Sequence, residues 1–453
     1  MPPLSSSIGI IYFLKGNNYL VTGATGFLAK VLIEKMLRMV PDVGRIFLMI
    51  KGEDKDEVKR RLKNEVIDEE LFRCLKEIHG KSYEAFMRSK LFPVLGNICK
   101  DNLGMDAYTA REIANQVHVI INIAANTTFD ERYDVAPNTN TKGPSRLLDF
   151  ANTCKNLKLF LHVSTAYING ERDGIVLEKP FHLGRSAEER MNSTTSSSQV
   201  SLPLLDVGAE MKLAFEMMKS LEYNNKRDQK MKDLGTQRAK MYGFYDTYSF
   251  TKAMGEMLIN SKRESLTVPI VIVRPSIIES TYREPFPGWI QGNKLIDPLF
   301  ISYGKGQLPG FVGNPNTILD IVPVDMVVNV ILTAIAKHGS SVKTQAAELI
   351  YHITSSVSNP ISLATEQSQT EYCIKRVNRF LHIAKIYEPY AFCKARFDNS
   401  NTKKLLEDMS GEERNMFGFD VESIQWKHYI ETVHLPGLRK HVLQQKLLAG
   451  SRL

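Results

Sequence analysis

Tyr19-Leu20-Val21-Thr22 is a short apolar run, and Gly23-Ala24-Thr25-Gly26-Phe27-Leu28-Ala29 follows it directly. The run predicts a buried strand, and the amphipathic stretch Lys30–Met39 predicts a helix after the second glycine. A glycine turn in this position lets a pyrophosphate approach the free N–H groups at the start of a helix. A purely structural turn is the alternative, but the placement between strand and helix favours a dinucleotide site.

Further apolar runs recur along the chain, with helical patterns between most of them. They are Arg45–Ile50, Leu91–Leu95, His118–Ile123, Leu159–Ser164 and Ile270–Arg274. Alternation of this kind predicts an α/β fold, a Rossmann-type doubly wound parallel sheet with helices on both faces. We expect this domain to span residues 1–355, closing with the run Leu349–Ile353. Residues 356–453 are expected to form a smaller, mainly helical C-terminal domain.

The composition excludes several classes of protein. Hydrophobic residues make up 43% and charged residues 24%, as in globular proteins. The five cysteines are scattered without a CxxC pair, and His118, His162 and His182 have no ligand spacing, so we expect no disulfide framework and no metal. The formal charge of +8 is spread along the chain without a nucleic-acid-binding module. It therefore favours phosphate-bearing small molecules over nucleic acid as partners.

The N-terminal residues contain the apolar run Ile8–Leu14 without a basic region before it. This pattern predicts neither a signal peptide nor a transit peptide. No stretch reaches the roughly 18 apolar residues that a membrane span needs. We expect an intracellular protein at the endoplasmic reticulum surface or in the cytosol rather than in a plastid, with at most a peripheral membrane contact.

The second predicted strand is followed by Lys51. Sites that prefer NAD usually place an acidic residue there, to hold the ribose 2′-hydroxyl, whereas a basic residue suits a 2′-phosphate. Lys51 therefore predicts NADPH as the cofactor, with Arg45 as a second candidate contact. A solvated lysine at a strand end is the alternative.

Tyr248 and Lys252 form a YxxxK spacing in a helical stretch that continues to Ile259. Side chains four residues apart lie on one face of a helix. A nearby ammonium favours the phenolate and is expected to lower the tyrosine pKa toward the working range. By itself the spacing could be a surface pair. Ser164 and Thr165, at the end of an apolar strand, add hydroxyls that could donate to a substrate oxygen, although such hydroxyls also serve as local caps.

Together these features resemble the extended short-chain dehydrogenase/reductases. More narrowly, the chain resembles the plant alcohol-forming fatty acyl-CoA reductases of the male-sterility type over nearly its whole length. The segments that carry the likeness are Leu20–Lys35, Ile123–Val135, His162–Gly170, Lys240–Met257, Pro285–Ile290, Ile321–Val330 and Tyr387–Leu443.

The resemblance implies reduction of a long-chain acyl-CoA to the primary alcohol by two NADPH, with release of CoA and a bound aldehyde intermediate. Tyr248 would be the proton donor and Lys252 its activator and ribose ligand. Thr165 would polarise the carbonyl, with Ser164 as the second candidate. The residues expected to contact the cofactor are Thr22, Gly23, Thr25, Gly26, Phe27, Lys51, Asn97, Ile98, Ala124, Ala125, Asn126, Tyr248, Lys252, Pro275, Ser276 and Ile277. Independently of the resemblance, the proline, glycine and aromatic content of Arg283–Gln291 predicts a loop over the substrate opening, in which Phe286 and Trp289 would face an acyl chain. A packed surface loop is the alternative.

The chain departs from the family pattern at two places. Asn97 stands where relatives often carry an aspartate, and the interval Ile361–Ile386 is much shorter than in relatives, with little apolar content in Ala364–Thr370. The second departure bears on chain-length choice and membrane docking. An aldehyde-forming thioester reductase and a non-catalytic dinucleotide-binding relative stay open as alternatives. A reductase or epimerase of small polar substrates is disfavoured by the family segments.

Overall fold

The computed structural model describes residues 7–181, 204–221, 225–292, 296–304, 313–340, 349–362 and 390–444. Three features named above lie outside the described residues: His182, the stretch Ala364–Thr370 and nearly all of the short interval Ile361–Ile386.

Thirteen strands are found in the described part of the chain. They are β1 (Tyr19–Thr22), β2 (Ile46–Ile50), β3 (Leu91–Leu95), β4 (Val119–Asn122), β5 (Leu159–Val163), β6 (Gly174–Val176), β7 (Ile270–Pro275), β8 (Ile277–Glu279), β9 (Ile318–Leu319), β10 (Ile321–Pro323), β11 (Ile350–Ile353), β12 (Ile361–Ser362) and β13 (Ala395–Phe397).

Seven of these strands form one parallel sheet in the order β11-β7-β5-β4-β1-β2-β3. The other strands pair as β8 with β10, β9 with β12 and β6 with β13. The predicted Rossmann-type sheet is confirmed, and the predicted strands coincide with observed ones to within a residue at each end. The chain reverses its direction of growth beside β1, which creates a crevice at the carboxyl ends of β1 and β4.

The helices α1 to α14 follow the expected alternation with strands. They are α1 (Ile10–Leu14), α2 (Phe27–Met39), α3 (Lys55–Leu62), α4 (Arg73–His79), α5 (Tyr83–Lys90), α6 (Ala107–Gln116), α7 (Gly143–Ala151), α8 (Val207–Ser220), α9 (Asn225–Met241), α10 (Thr247–Ser261), α11 (Asp297–Gly304), α12 (Val324–Gly339), α13 (Ser400–Glu407) and α14 (Gly411–Phe417). A C-terminal helical run follows, with consecutive segments Trp426–His428, Tyr429–His434, Leu435–Leu438 and Arg439–Leu443.

Two hydrophobic cores cover the two faces of the sheet. Tyr19 and Val21 of β1 belong to the first core and Leu20 to the second, because side chains alternate along a strand. Helices α2 and α12 contribute to the first core, and α6 and α7 to the second. The sheet is thus shielded from water on both sides, and ligands can reach the strands only at their ends.

The C-terminal residues pack onto the same framework. Leu405 and Phe417 join the first core, and β13 pairs with β6. The boundary at residue 355 stays a prediction. Among the described residues no helix combines the length and the apolar composition that crossing a bilayer requires.

Candidate active site

A cavity of about 470 Å³ lies where the parallel strands end. Thr22, Ile50, Val163 and Pro275, the last residues of four strands of the central sheet, all contribute to its wall. In open α/β sheets this edge is the usual place for a ligand.

The glycine turn forms one side of the cavity. Gly23 has φ +68°, and a Cβ there would lie 2.9 Å from backbone atoms of Ala124, so a side chain is excluded. Helix α2 begins directly after Gly26, and Gly26, Phe27 and Leu28 line the cavity. The first N–H groups of α2 have no partners within the helix and are suited to a diphosphate.

Thr22 has a different role from the one expected. Its hydroxyl donates to Asn122 Oδ1 (2.7 Å) and accepts from the N–H groups of Ile123 (3.2 Å) and Ala124 (3.1 Å). The Thr22 side chain therefore ties β1 to β4 beneath the cavity, although the residue also contributes to the cavity wall.

Helix α10 brings Tyr248 and Lys252 to the opposite side of the cavity. Asp246 caps this helix by accepting from the N–H of Ser249 (2.7 Å). Burial and the neighbouring Asp246 raise the pKa of Tyr248, while a hydrogen bond with the Thr165 side chain lowers it. Thr165 thus meets the phenol at the cavity surface, and its hydroxyl also caps a short turn by accepting from the N–H of Tyr167 (3.4 Å).

Ser164 is the second strand-end hydroxyl beside the phenol. Its Oγ is buried, lines the cavity and has no hydrogen-bond partner among the described residues. It therefore offers a donor to a bound molecule.

Lys252 is buried, and its Nζ donates to the carbonyl of Val163 (2.7 Å) and lies 3.3 Å from His162 Nε2. Burial lowers the pKa of Lys252 to about 8, and the Glu256 carboxylate opposes this change. The expectation that the ammonium lowers the pKa of Tyr248 is wrong for this arrangement. Burial dominates at the phenol, and the Lys252 nitrogen contacts Val163 and His162.

Thr22, Asn122, His162 and Lys252 form a continuous buried line, here called the polar chain. Asn122 Nδ2 lies 3.0 Å from His162 Nδ1, and the other links are those already given. Thr22, Asn122 and His162 are register partners on β1, β4 and β5, so their side chains share one face of the sheet. Burial and the nearby Lys252 and Arg274 lower the pKa of His162 well below its usual value, so the imidazole is neutral.

The polar chain was missed from the sequence. A signal was nevertheless present, because each of the apolar runs YLVT, VIIN and LFLHV has one polar residue at or near its end.

The opposite end of the cavity carries positive charge. Lys51 is exposed there, as expected, and Arg61, which was missed, lies beside it and donates from Nη1 to the Lys51 carbonyl (2.7 Å). Glu65 holds the guanidinium at 2.6 and 3.0 Å and also hydrogen-bonds to Thr25 of the glycine turn. Arg45 lies at the other end of β2, 3.0 Å from Gln116, so its assignment to this site was wrong.

The loops after β3 and β4 hold the next group of predicted residues. Asn97, Ile98, Ala124 and Ala125 line the cavity. Asn97 Oδ1 already accepts from the N–H of Cys99 (2.9 Å), but a carbonyl oxygen can accept a second bond. Asn126 faces elsewhere: its amide donates to Glu131 (2.9 Å) and accepts from the N–H of Thr128 (3.0 Å).

The remaining wall is largely apolar. Pro275, Ser276 and Ile277 line it, followed by Ile278, Ile290, Ile296, Leu299 and Leu319. The expectation for Phe286 and Trp289 was wrong. Trp289 is buried and stacks on Phe27, with the ring centroids 5.5 Å apart. The Phe286 ring packs beneath Arg73, whose Cζ lies 4.3 Å from the ring centroid.

Aromatic residues complete the wall near Tyr248. The Tyr390 hydroxyl donates to the Asp246 carboxylate. Its ring centroid lies 5.1 Å from that of Tyr167 and 5.3 Å from that of Phe129, and all three residues line the cavity. Because Tyr390 belongs to the C-terminal part, to which the sequence assigned no chemistry, its contribution was missed.

Comparisons with known proteins agree with this geometry. Residues 21–331 match an NAD-binding family model described as "Male sterility protein", and residues 361–445 match a second model of the same description. The chain is 48% identical to fatty acyl-CoA reductase 2, chloroplastic, of Arabidopsis thaliana, over 98% of this chain and 81% of that protein. The chain belongs to the fatty acyl-CoA reductase family.

Another fatty acyl-CoA reductase, the alcohol-forming enzyme of Simmondsia chinensis, is 34% identical over 96% of this chain and 99% of its own length. Among solved structures, the terminal R domain of the myxalamid biosynthetic pathway shares the fold, with a TM-score of 0.56, 17% identity, and coverage of 86% of this chain and 85% of that one.

The expected location was wrong. We expected the endoplasmic reticulum surface or the cytosol rather than a plastid, but the 48% identical fatty acyl-CoA reductase is named as chloroplastic. The expectation relied on the composition ahead of β1, which is a weaker guide than such a relative.

Proposed function

We propose that this chain reduces long-chain fatty acyl-CoA to the primary alcohol with NADPH. The observation that carries the proposal is one cavity in which the glycine turn, the Tyr248–Thr165 pair and a long apolar wall meet. Membership of the fatty acyl-CoA reductase family supports the acyl-CoA substrate. The similarity to an enzyme named as alcohol-forming supports the alcohol as product.

The residues present fit a dinucleotide with a 2′-phosphate. The turn around Gly23 and Gly26 leaves space that a Cβ would fill, and the first N–H groups of α2 would hold the diphosphate. Lys51 and Arg61 would hold the 2′-phosphate. Bound NADPH supplies the hydride.

The other predicted contacts are assigned by their place along the cavity. Thr25 and Phe27 would contact the diphosphate, Asn97 and Ile98 the adenine, and Ala124 and Ala125 the path between adenosine and nicotinamide. Pro275, Ser276 and Ile277 would flank the nicotinamide end, and Lys252 would hold its ribose. We leave Asn126 out, because its side chain is held by Glu131 and Thr128.

The first half of the reaction ends with loss of CoA. Hydride addition to the thioester carbon places negative charge on its oxygen, and the hydroxyls of Tyr248 and Thr165 would stabilise that charge. The C–S bond then breaks, the carbonyl forms again as an aldehyde, and the CoA thiolate leaves and takes up a proton. Ser164, whose hydroxyl has no partner among the described residues, offers a further donor to the oxygen.

The second half uses the same groups. After a second NADPH has replaced the spent cofactor, a second hydride reaches the aldehyde carbon, and Tyr248 gives its proton to the oxygen, which yields the alcohol. The raised pKa of Tyr248 keeps the phenol protonated at neutral pH, as a proton donor requires. The polar chain would hold Lys252 in place through both halves.

Purified protein incubated with NADPH and a panel of long-chain acyl-CoAs tests this function. We expect primary alcohols and free CoA. Tyr248→Phe, which removes the proton donor and keeps the ring, should lower kcat/KM by about 10²–10⁴-fold. Free aldehyde accumulating with NADPH in excess would contradict an alcohol-forming enzyme, and NADPH binding without turnover would contradict an enzyme altogether.

A further inference from the structure

Glu279, Asp297 and His434 form a second buried polar group, here called the acid–imidazole cluster. Glu279 ends β8, Asp297 begins α11, and His434 lies in the C-terminal helical run. All three side chains are at least 97% buried, and one ligand atom of each lies within 4.8 Å of the others. Asp297 also lines the cavity, so the cluster is next to the candidate active site.

The spacing of the three side chains suits a small cation. His434 Nε2 lies 3.6 Å from Glu279 Oε2 and 3.4 Å from Asp297 Oδ1. Ligand atoms at about 2.0–2.2 Å from a tetrahedral zinc ion are roughly 3.4 Å apart. Both imidazole–carboxylate distances are therefore close to those in a bound site, and too long for strong hydrogen bonds.

The Glu279 carboxylate lacks the N–H donors that buried carboxylates normally have. Among the described residues, no N–H group donates to either oxygen of Glu279, and Nε2 of His434 has no hydrogen-bond partner. The nearby Asp297 carboxyl can hydrogen-bond to Glu279 only when one of the two carboxyls keeps its proton. By contrast, the buried carboxylate of Asp325 accepts from the N–H groups of Tyr282, Arg283 and Glu284 at 2.8–3.1 Å. Since a buried unpaired carboxylate is costly, the Glu279 side chain points to a ligand of opposite charge.

The imidazole is held with its free nitrogen toward the carboxylates. His434 Nδ1 lies 3.1 Å from Ser280 Oγ, which lies 3.1 Å from the Tyr429 hydroxyl. Tyr429 in turn donates to the Ser280 carbonyl (2.8 Å). A proton on Nδ1, donated to Ser280, leaves the Nε2 lone pair facing Glu279 and Asp297, which is the usual support for a metal-binding histidine.

We propose that Glu279, Asp297 and His434 bind one divalent first-row transition-metal cation, which fastens the C-terminal helical run to β8 and α11 beside the cavity. Two carboxylates neutralise a divalent charge, and a mixed oxygen and imidazole set suits zinc or manganese rather than magnesium or calcium. Because Asp297 lines the cavity, a cation can enter the cluster from the cavity side. We expected no metal, because the cysteines form no CxxC pair and His118, His162 and His182 have no ligand spacing. The three residues of the cluster are far apart in the sequence and form no such motif.

The test uses the full chain, stripped with a chelator and titrated with Zn²⁺ alone. We expect one zinc ion per chain by calorimetry and elemental analysis, together with a higher Tm. Glu279→Gln and His434→Gln, which keep side-chain size, should lose both the bound ion and the rise in Tm. Ser280→Ala, which removes the hydroxyl that supports the imidazole and leaves all three ligands in place, should weaken zinc binding by about 10–100-fold. Asp56→Asn, at an exposed carboxylate, is the matched control and should bind zinc as the parent does.

Cobalt provides a second readout that does not depend on stability. Co²⁺ bound through His434 should give visible ligand-field bands that His434→Gln abolishes. Zinc binding of equal stoichiometry in the parent and in Glu279→Gln would overturn the proposal. So would a parent that binds neither Zn²⁺ nor Co²⁺ while Glu279→Gln raises the Tm, because the carboxyls would then share a proton. None of these readouts requires acyl-CoA reduction, so the metal site and the proposed function can fail separately.

Discussion

The polar chain and the acid–imidazole cluster are both buried, but they satisfy their polar groups in opposite ways. In the polar chain, hydrogen bonds link Thr22 to Asn122 (2.7 Å) and Asn122 to His162 (3.0 Å). The Lys252 nitrogen, beside the His162 ring, donates to the Val163 carbonyl (2.7 Å). In the cluster, Glu279 receives no N–H donor and one nitrogen of His434 has no hydrogen-bond partner in the described part of the chain. A fully paired polar network gives rigidity, whereas an unpaired one indicates a missing ligand or stored strain. The first therefore fits a device for positioning Lys252, and the second a binding site.

The origin of the two groups explains the difference. Three members of the polar chain are neighbours in a parallel sheet, and its register places their side chains side by side. The cluster joins β8, α11 and the C-terminal helical run. These three segments do not pair in one sheet, so no strand register places their side chains side by side. Single substitutions in the polar chain and in the cluster test whether the first positions Lys252 and the second binds a ligand.

Removing the charged end of the polar chain has the largest expected effect. Lys252→Met keeps the aliphatic stem but loses the ammonium that would hold the nicotinamide ribose. We expect kcat/KM for acyl-CoA with NADPH to fall by about 10²–10⁴-fold, as for other groups that act on proton transfer. Lys262→Met, at the residue just after the same helix and paired with Asp149 near the surface, is the control. A loss below tenfold in Lys252→Met would contradict the role.

The cofactor end of the cavity gives the next largest effect. Lys51→Asp replaces a cation by an anion beside the proposed 2′-phosphate, and each charge-assisted bond contributes about 1.5–3 kcal/mol. The KM for NADPH should therefore rise by about 10–100-fold, with little change for NADH. Arg45→Met, at the opposite end of β2, should leave both constants unchanged. Equal changes for NADPH and NADH in Lys51→Asp would remove the assignment.

Breaking the polar chain at its other end should affect stability. Thr22→Val keeps the shape of the side chain but leaves Asn122 Oδ1 and the N–H groups of Ile123 and Ala124 without the hydroxyl. The free energy of unfolding, measured in urea, should fall by about 1–3 kcal/mol. Thr153→Val removes an exposed hydroxyl and should change it far less. In metal-free protein, Glu279→Gln should be neutral or stabilising, and a loss as large as that of Thr22→Val would contradict the contrast.

The smallest effect concerns pH. Burial lowers the pKa of Lys252 to about 8, so its ammonium is present below that pH and is lost above it. We expect kcat/KM to be level below about pH 8 and to fall above it, while Tyr248 stays protonated. Since Asn122 donates to His162 Nδ1, the proton of the neutral ring lies on Nε2 and faces the Lys252 nitrogen. His162→Leu removes this opposing donor and should move the alkaline limb to higher pH. If the alkaline limb of the kcat/KM profile does not move, His162 has no effect on the pKa of Lys252.

The sheet and the glycine turn could be predicted because local patterns specify them. The strands β1 and β3 lie where the apolar runs placed them, and the glycine spacing requires a backbone that few other residues allow. The polar chain could have been found by asking why Asn122 and His162 interrupt apolar strands. Tyr390, Arg61 and the Glu279–Asp297–His434 contact could not, because they depend on how distant segments pack. Trp289 and Asn126 show the converse error, since their side chains make core or loop contacts that the motif does not specify.

The proposed pair of hydride transfers is tested most directly with NADPH that carries deuterium at its transferable position. The measurement is the number of deuterium atoms in the product. With a long-chain acyl-CoA and the parent protein, we predict a primary alcohol with two deuterium atoms on its first carbon, formed about 10²–10⁴-fold more slowly by Tyr248→Phe. Aldehyde with a single deuterium as the only product, or labelling at an equal rate by Tyr248→Phe, would contradict two hydride transfers at the Tyr248–Lys252 site.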